Sequence, residues 1–304
     1  MKLLRCLWLC SFGFVSMLTH AAPDFTKPVG TTIVDSGSDH YQFSQMMLDS
    51  IDGQRHYRVT IAVPKTAVPE HGFPVLYLLD GNAVIADLSD SLLAQLANNP
   101  PVIVALGYDT DLRFDLPART RDYTPKGNNG QTTIGKWQGG GADDFFALLN
   151  DKIQPLVEKT VTLNRQQQGI WGHSFGGLFV LYAMQKTDSP FRFYASADPA
   201  FWWMNGEQIA QLEGFADNDV VTATTQLLLM HGEKLKKPPV SPSTARFQYD
   251  VTGTNQRLVS ALDKMENVSA VYQGYQLTHG PLFKPSMVSA LRWFSDLTAS
   301  VKTD

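Results

Sequence analysis

The sequence predicts an α/β fold in which a mostly parallel sheet is covered by helices on both faces. Three observations lead to this prediction. Short, wholly apolar runs typical of buried strands recur along the chain, as at Val75–Leu79 and Val102–Leu106. Stretches with apolar residues at helical spacing alternate with them, as in residues 145–157. The 304 residues are also enough for one large domain with a substantial core.

The elements can be placed in chain order. Residues 41–50 and 57–63 are predicted to be antiparallel strands joined by a turn at Asp52-Gly53. Further strands are predicted at 75–79, 102–106, 169–171, 193–197, 227–230 and 270–276, and further helices at 174–185, 255–265 and 286–297. The glycine-rich residues 127–141 and the lysine- and proline-rich residues 234–244 are predicted loops. The short gaps between elements leave no room for a large helical cap.

Residues 1–22 have the pattern of a secretory signal peptide, in which Lys2 and Arg5 precede an apolar run and small residues follow it. The run is shorter than the ~20 residues that a membrane-spanning helix needs, although an uncleaved anchor is an alternative. We therefore expect an exported, periplasmic protein with a single domain over residues 23–304. Both cysteines, Cys6 and Cys10, lie in the leader, so that domain has no thiol for a disulfide, a nucleophile or a metal site.

The chemistry is indicated by Gly172–Gly176, which reads Gly-His-Ser-Phe-Gly between a predicted strand and a predicted helix. This is the G-x-S-x-G pattern of a nucleophile elbow, in which glycines permit a sharp turn that exposes the serine. A serine hydroxyl also needs a base to remove its proton. We therefore predict that Ser174 is the nucleophile of an α/β hydrolase.

The base should follow the serine in the chain, because α/β hydrolases carry their residues in the order serine, acid, histidine. Only His231 and His279 come after Ser174. His231 ends a predicted strand close to the strand at 169–171 that leads into the elbow, and it is interpreted as a structural histidine. His279 follows the last predicted strand, where a loop can fold back to the serine, and it is the predicted base.

The acid is less well determined. Glu233 is favoured because it directly follows the strand whose end usually carries the acid. Asp250 and Asp198 are alternatives, and so is a serine–histidine dyad without a carboxylate. For the oxyanion hole, the predicted donors are the backbone N–H groups of Phe175 and of Asn82 in the loop after the strand at 75–79.

Four motifs together resemble one family: Leu-Asp-Gly-Asn at 79–82, Arg-Thr-Arg-Asp-Tyr-Thr-Pro at 119–125, the elbow at 172–177, and His-Gly-Pro at 279–281. The chain from about residue 30 onward is similar to the putative-esterase family of α/β hydrolases. Within it, the resemblance is to periplasmic siderophore esterases, which hydrolyse the trilactone of enterobactin and of its glucosylated form, salmochelin.

The resemblance implies that Ser174 and His279 are the catalytic pair and Asn82 an oxyanion-hole residue. Periplasmic members are described as using a dyad, which leaves the role of Glu233 open. A catecholate siderophore is aromatic and anionic when it carries iron, so cations and aromatic rings should bind it. The candidates are Arg113, Arg119, Arg121, Trp202 and Trp203. No cofactor or protein-bound metal is expected, since iron would arrive with the substrate.

The formal net charge of −4 at pH 7 disfavours nucleic acid or an anionic membrane as a partner. Three functions are compatible with the sequence. The first is a periplasmic esterase acting on a catecholate siderophore trilactone, with or without iron. The second is a general carboxylesterase, or a feruloyl or thioester hydrolase of the same family. The third is a non-catalytic periplasmic binding protein built on a hydrolase fold.

Overall fold

The computed structural model describes residues 26–218, 221–234 and 250–300. The leader at 1–22 and residues 235–244 of the lysine- and proline-rich loop lie outside these ranges. In the described ranges the strands are β1 (Tyr41–Asp49), β2 (His56–Pro64), β3 (Phe73–Leu79), β4 (Val102–Tyr108), β5 (Thr133–Ile134), β6 (Trp137–Gln138), β7 (Leu163–His173), β8 (Phe193–Ala197), β9 (Thr225–Gly232) and β10 (Val268–Tyr275).

Eight of these strands form one sheet, in the order β1-β2-β4-β3-β7-β8-β9-β10. β1 pairs with β2 and β2 with β4 in antiparallel fashion, whereas every later pair in the sheet is parallel. The remaining two strands, β5 and β6, form a small hairpin within the predicted loop at 127–141. The predicted fold class, a mostly parallel sheet with antiparallel N-terminal strands, is confirmed.

Helices cover both faces of the sheet. Those in the described ranges are α1 (Ile33–Ser36), α2 (Gly81–Asp87), α3 (Asp90–Ala94), α4 (Leu116–Tyr123), α5 (Ala142–Leu148), α6 (Gln154–Glu158), α7 (Phe175–Met184), α8 (Glu207–Asn218), α9 (Val251–Leu262) and α10 (Phe283–Ser300). The predicted helix at 145–157 is α5 and α6 joined by a π-helical turn at Leu149–Ile153. None of the helices in the described residues is long and apolar enough to cross a membrane.

The core consists of two apolar layers, one on each side of the sheet. Successive side chains of a strand point to opposite faces, so Val75, Tyr77 and Leu79 of β3 pack in one layer and Leu76 and Leu78 in the other. The first layer also contains side chains of α5, α7 and α9, and the second those of α2, α3 and α10. Because β3 is buried on both faces, its sequence is continuously apolar rather than alternating.

The carboxyl ends of the central strands lie side by side. The register pairs Leu78 with Trp171, and Ala197 with both His173 and Met230. In an open α/β sheet this edge is where ligands bind. The segments that leave the strands here, at 80–82, 174, 198 and 231–233, are therefore gathered in one place.

The contact of α10 with the sheet gives a first testable prediction. Phe294 is fully buried, and its ring meets that of Phe193 edge-on at 5.1 Å. We expect Phe294→Ala to lower the free energy of unfolding by about 3–5 kcal/mol, because it leaves a cavity in the core. Denaturant unfolding followed by circular dichroism measures this. Val271→Ala, at a half-exposed position of β10, is the control and should change it by less than about 0.5 kcal/mol. A small loss for Phe294→Ala would contradict the packing described here.

Candidate active site

Ser174 lies in the sharp turn between β7 and α7, with φ 62° and ψ −116°. A non-glycine residue at positive φ is strained, and its neighbours must hold it there. A Cβ on Gly172 would lie 2.4 Å from the carbonyl carbon of Gly176, and one on Gly177 2.7 Å from the carbonyl oxygen of Ala197. The Ser174 N–H also donates to that oxygen at 2.9 Å. Glycine is therefore required at 172 and 177 for the turn to form.

Ser174, His279 and Asp198 form one chain of hydrogen bonds. The distance from Ser174 Oγ to His279 Nε2 is 3.1 Å, and that from His279 Nδ1 to Asp198 Oδ2 is also 3.1 Å. An ionised carboxylate can only accept, so the proton of the imidazole is on Nδ1 and Nε2 is free to accept from the serine hydroxyl. The side chain of His279 is 39% exposed and that of Asp198 only 5%. A substrate can therefore reach the histidine, while the carboxylate stays shielded.

Asp198 directly follows β8 and has φ 42°. Its Oδ1 accepts hydrogen bonds from His231 Nδ1 at 2.5 Å and from the Gly232 N–H at 2.9 Å. Burial by itself raises the pKa of the Asp198 carboxyl. Hydrogen bonds from His231 and His279 and the charges of nearby histidines outweigh burial and hold that pKa well below its usual range. Asp198 is thus kept ionised next to His279.

The favoured acid, Glu233, is not near the imidazole. Its carboxylate accepts from Tyr272 Oη at 3.0 Å and from Gln276 Nε2 at 3.1 Å. Glu233 follows the end of β9, and its side chain turns toward the outer strand β10. Asp198 leaves β8, which is next to the elbow strand, and so it is the carboxylate that reaches His279. The expectation of Glu233 as the acid is therefore wrong in this geometry, and the alternative at 198 replaces it.

The other alternative, Asp250, has a different function. It is the N-cap residue of α9, and its Oδ1 accepts from the Gly253 N–H at 3.1 Å. Its carboxylate is used to begin that helix, four residues earlier than the sequence predicts.

His173, the residue before Ser174, contacts His279. Its Nε2 donates to the backbone carbonyl of His279 at 2.9 Å, and the two ring centroids are 4.5 Å apart. Burial, together with the neighbouring His279, lowers the pKa of His173 to about 3, so this ring stays neutral. The sequence gives no signal for this contact, which joins residues 106 positions apart. His173 thus holds the backbone at His279 in place.

The predicted oxyanion-hole residues begin two helices at the same sheet edge. Phe175 is the first residue of α7 and Asn82 the second of α2, and N–H groups at these positions have no acceptor within their own helix. The Asn82 side chain is occupied, because its Nδ2 lies within hydrogen-bonding distance of the carbonyls of Tyr108, Thr110 and Leu112. Any contribution of Asn82 to an oxyanion hole thus comes from its backbone.

Arg119 is buried and engaged, and so it is not placed to bind substrate as expected. Its Nε and Nη2 donate to the two carboxylate oxygens of Asp80 at 2.7 and 2.8 Å. Nη2 also lies 3.3 Å from the carbonyl oxygen of His173. Arg119 therefore ties the loop after β3 to the elbow. Its position in the motif is explained by this connection rather than by a ligand.

The two other arginines differ in position. Arg113 forms an ion pair with Asp87 at 2.6 Å. Arg121 pairs with Asp144 at 3.1 Å and lines a cavity of about 780 Å³. The other residues that line the cavity are Gln54, Arg55, Asp115, Leu116, Pro117, Ala118, Thr120, Lys136, Trp137 and Gln138. Ser174 is not among them, so this cavity does not enclose the serine.

An aromatic cluster separates the cavity from the elbow. The Phe175 ring is 5.8 Å from that of Trp137 and 5.4 Å from that of Trp202, measured between centroids. Trp203 is buried, and its Nε1 donates to the carbonyl of Pro125 at 2.8 Å, so it belongs to the core. Trp137, on the β5–β6 hairpin, was not predicted as a site residue. A tryptophan within a glycine-rich loop is the signal that could have found it.

His173, Asp198 and His279 also place potential metal-ligand atoms within 4.8 Å of one another. The hydrogen bonds described above already use all three residues, and His279 Nε2 faces the serine. The donor set therefore fits activation of a nucleophile better than coordination of a resident ion.

A serine in a strained elbow, hydrogen-bonded to a histidine that a buried aspartate orients, defines the α/β hydrolases that use a serine nucleophile. Residues 50–293 match the family model described as "Putative esterase", and the chain belongs to this family of esterases. The predicted enzyme class, a carboxylic ester hydrolase, is confirmed.

The chain is 39% identical to the apo-salmochelin esterase of Escherichia coli O6:H1 (strain CFT073) over 290 residues, which cover 93% of this chain and 88% of that protein. It is 33% identical to the ferri-bacillibactin esterase BesA of Bacillus subtilis (strain 168) over 172 residues, 52% of this chain and 58% of that protein. The solved structure of the enterobactin and salmochelin hydrolase IroE superposes with a TM-score of 0.73 at 38% identity, covering 86% of this chain and 98% of that one.

The contrast between the two motif arginines is testable. Arg119→Met should lower the free energy of unfolding by about 3–5 kcal/mol, because it leaves the carboxylate of Asp80 buried without its partner. Arg121→Met removes a more exposed ion pair and should cost less than about 1 kcal/mol. Denaturant unfolding of both variants measures the difference. Equal losses would mean that Arg119 does not hold the loop to the elbow.

Proposed function

We propose that the protein is an exported serine esterase that hydrolyses the ester bonds of catecholate siderophore trilactones of the enterobactin and salmochelin type. The observation that carries the proposal is the hydrogen-bonded chain Ser174–His279–Asp198. It occurs in a chain that is 39% identical, over almost its whole length, to an apo-salmochelin esterase.

The mechanism follows from the proton positions. His279 Nε2 accepts the hydroxyl proton as Ser174 Oγ attacks the ester carbonyl carbon, and Asp198 stabilises the resulting imidazolium without taking a proton. The backbone N–H groups of Phe175 and Asn82 stabilise the oxyanion of the tetrahedral intermediate. The imidazolium then protonates the leaving alkoxide. A water molecule, deprotonated by the same histidine, hydrolyses the acyl-enzyme and regenerates Ser174.

The surroundings of the serine support a bulky aromatic substrate. Trp137 and Trp202 are partly exposed beside Phe175, and such rings can pack against a catechol. Arg121 and Lys136 line the adjacent cavity and can attract its anionic oxygens. Among the described residues, the segment between α4 and α5 adds only the small β5–β6 hairpin, which supports a site open to bulky substrates.

The site of action is part of the proposal. The pattern of residues 1–22 supports export by a signal peptide, and the cysteine-free remainder suits an oxidising compartment. We therefore place the enzyme in the periplasm, as one esterase domain from about residue 23. Its substrate would carry any iron.

The reaction is tested with the purified enzyme and its Ser174→Ala variant. We expect the wild type to linearise and cleave enterobactin, with products identified by mass spectrometry, in both the iron-free and the ferric form. Ser174→Ala should lose at least about 10⁴-fold in kcat, because the nucleophile is removed, while it still binds the siderophore.

Two outcomes would contradict the proposal. Comparable turnover of short nitrophenyl esters with none of the trilactone would indicate a general esterase. Binding without turnover, together with failure of a fluorophosphonate probe to label Ser174, would indicate a binding protein.

The acid is tested by comparing two carboxylates. Asp198→Asn should lower kcat on the order of a thousandfold or more, because the amide no longer enforces the reactive tautomer of His279. Glu233→Gln, the matched control on the neighbouring strand, should leave kcat within about twofold. Steady-state kinetics on the trilactone measure both. If Asp198→Asn keeps most of the activity, the enzyme works as a serine–histidine dyad.

A further inference from the structure

Two histidines share the carboxylate of Asp198. His279 donates to Oδ2 at 3.1 Å, and His231 donates to Oδ1 at 2.5 Å. The second contact is the shorter, and it comes from the end of β9. In most α/β hydrolases the catalytic acid follows the strand that corresponds to β9. Here β8 carries the acid, and β9 supplies a histidine that binds it.

The protonation of His231 follows from its partner. Because the carboxylate of Asp198 only accepts, the proton of His231 must be on Nδ1. Among the described residues, Nε2 of His231 has no hydrogen-bond partner. The side chain of His231 is 13% exposed and that of Asp198 5%, so the bond between them is shielded from water. A hydrogen bond to a charged group is strongest under such conditions.

The contact fixes the rotation of the carboxylate. Asp198 is held at one oxygen by His231 and the Gly232 N–H, and this leaves the other oxygen directed at His279. Without His231, a single backbone N–H would hold Oδ1. The carboxylate could then turn, and His279 would lose its defined orientation toward Ser174. Nothing in this role requires His231 to touch the substrate.

We propose that His231 is a positioning residue for ester hydrolysis, which holds Asp198 so that the carboxylate orients His279. This inference rests on the proposed serine-esterase mechanism and extends it from three residues to four. The contribution of His231 lies in the geometry and charge of Asp198 and not in proton transfer to the substrate.

A pair of variants separates the donor from the bulk of the ring. In His231→Asn the amide nitrogen can take the place of Nδ1 and donate to Asp198, whereas His231→Leu offers no donor. We expect His231→Leu to lower kcat about 10–100-fold, as for loss of a hydrogen bond to a charged group, with KM changed less than about twofold. His231→Asn should recover kcat to within about threefold of wild type.

The loss should be the same on the trilactone and on a nitrophenyl ester, because it concerns the chemical step rather than binding. The pH profile of kcat should also change in His231→Leu and stay close to wild type in His231→Asn. Unfolding curves establish that each variant is folded. His231→Phe, which keeps a planar ring without a donor, replaces the leucine variant if that protein does not fold.

A double-mutant cycle gives the decisive comparison. If His231 acts through Asp198, His231→Leu should have no further effect in the Asp198→Asn background. The inference would be overturned if His231→Leu lowered kcat by the same factor in the Asp198→Asn background as in the wild type. A folded His231→Leu variant with wild-type kcat would overturn it too. Activity of Ser174→Ala would instead overturn the esterase mechanism itself, so the two failures are distinguishable.

Discussion

The turn at Ser174 depends on two close backbone contacts that leave no room for a side chain. Gly172 lies against the start of α7, and Gly177 lies against the end of β8. The positive φ of Ser174 is a strained backbone conformation, and the surrounding strands hold the residue in it. Once the turn is set, the hydroxyl lies at the edge of the sheet where the other functional segments converge.

The second constraint is the burial of charge beside that turn. Asp198 and Asp80 are both shielded from water, and each is stabilised by donors that also have a structural task. Arg119 joins Asp80 to the elbow, and His231 joins β9 to Asp198. A buried carboxylate is costly unless it is fully hydrogen-bonded, so these partners are as necessary to the site as the residues that contact substrate.

The region around the serine divides into parts with different chemistry. Trp137 and Trp202 are partly exposed beside the buried Phe175, while the cavity beyond them is lined by Arg121 and Lys136. Lys136 also lies over the ring of Trp137, 5.3 Å from its centroid. Aromatic rings and cations side by side agree with an aromatic, anionic substrate such as a catecholate better than with a simple aliphatic ester.

The sequence by itself determined the sheet, the elbow and the pairing of Ser174 with His279. These features depend on apolar runs, glycine spacing and the order of motifs, all of which can be read along the chain without knowing the tertiary structure. It did not determine the acid. Three carboxylates follow the elbow at plausible positions, and only strand order in space shows that β8 lies next to β7 while the side chain of Glu233 turns to β10. The same holds for Arg119 and Trp203, which were both predicted to bind substrate. Burial and long-range hydrogen bonds decide that they support the fold, because side-chain direction is set by tertiary packing.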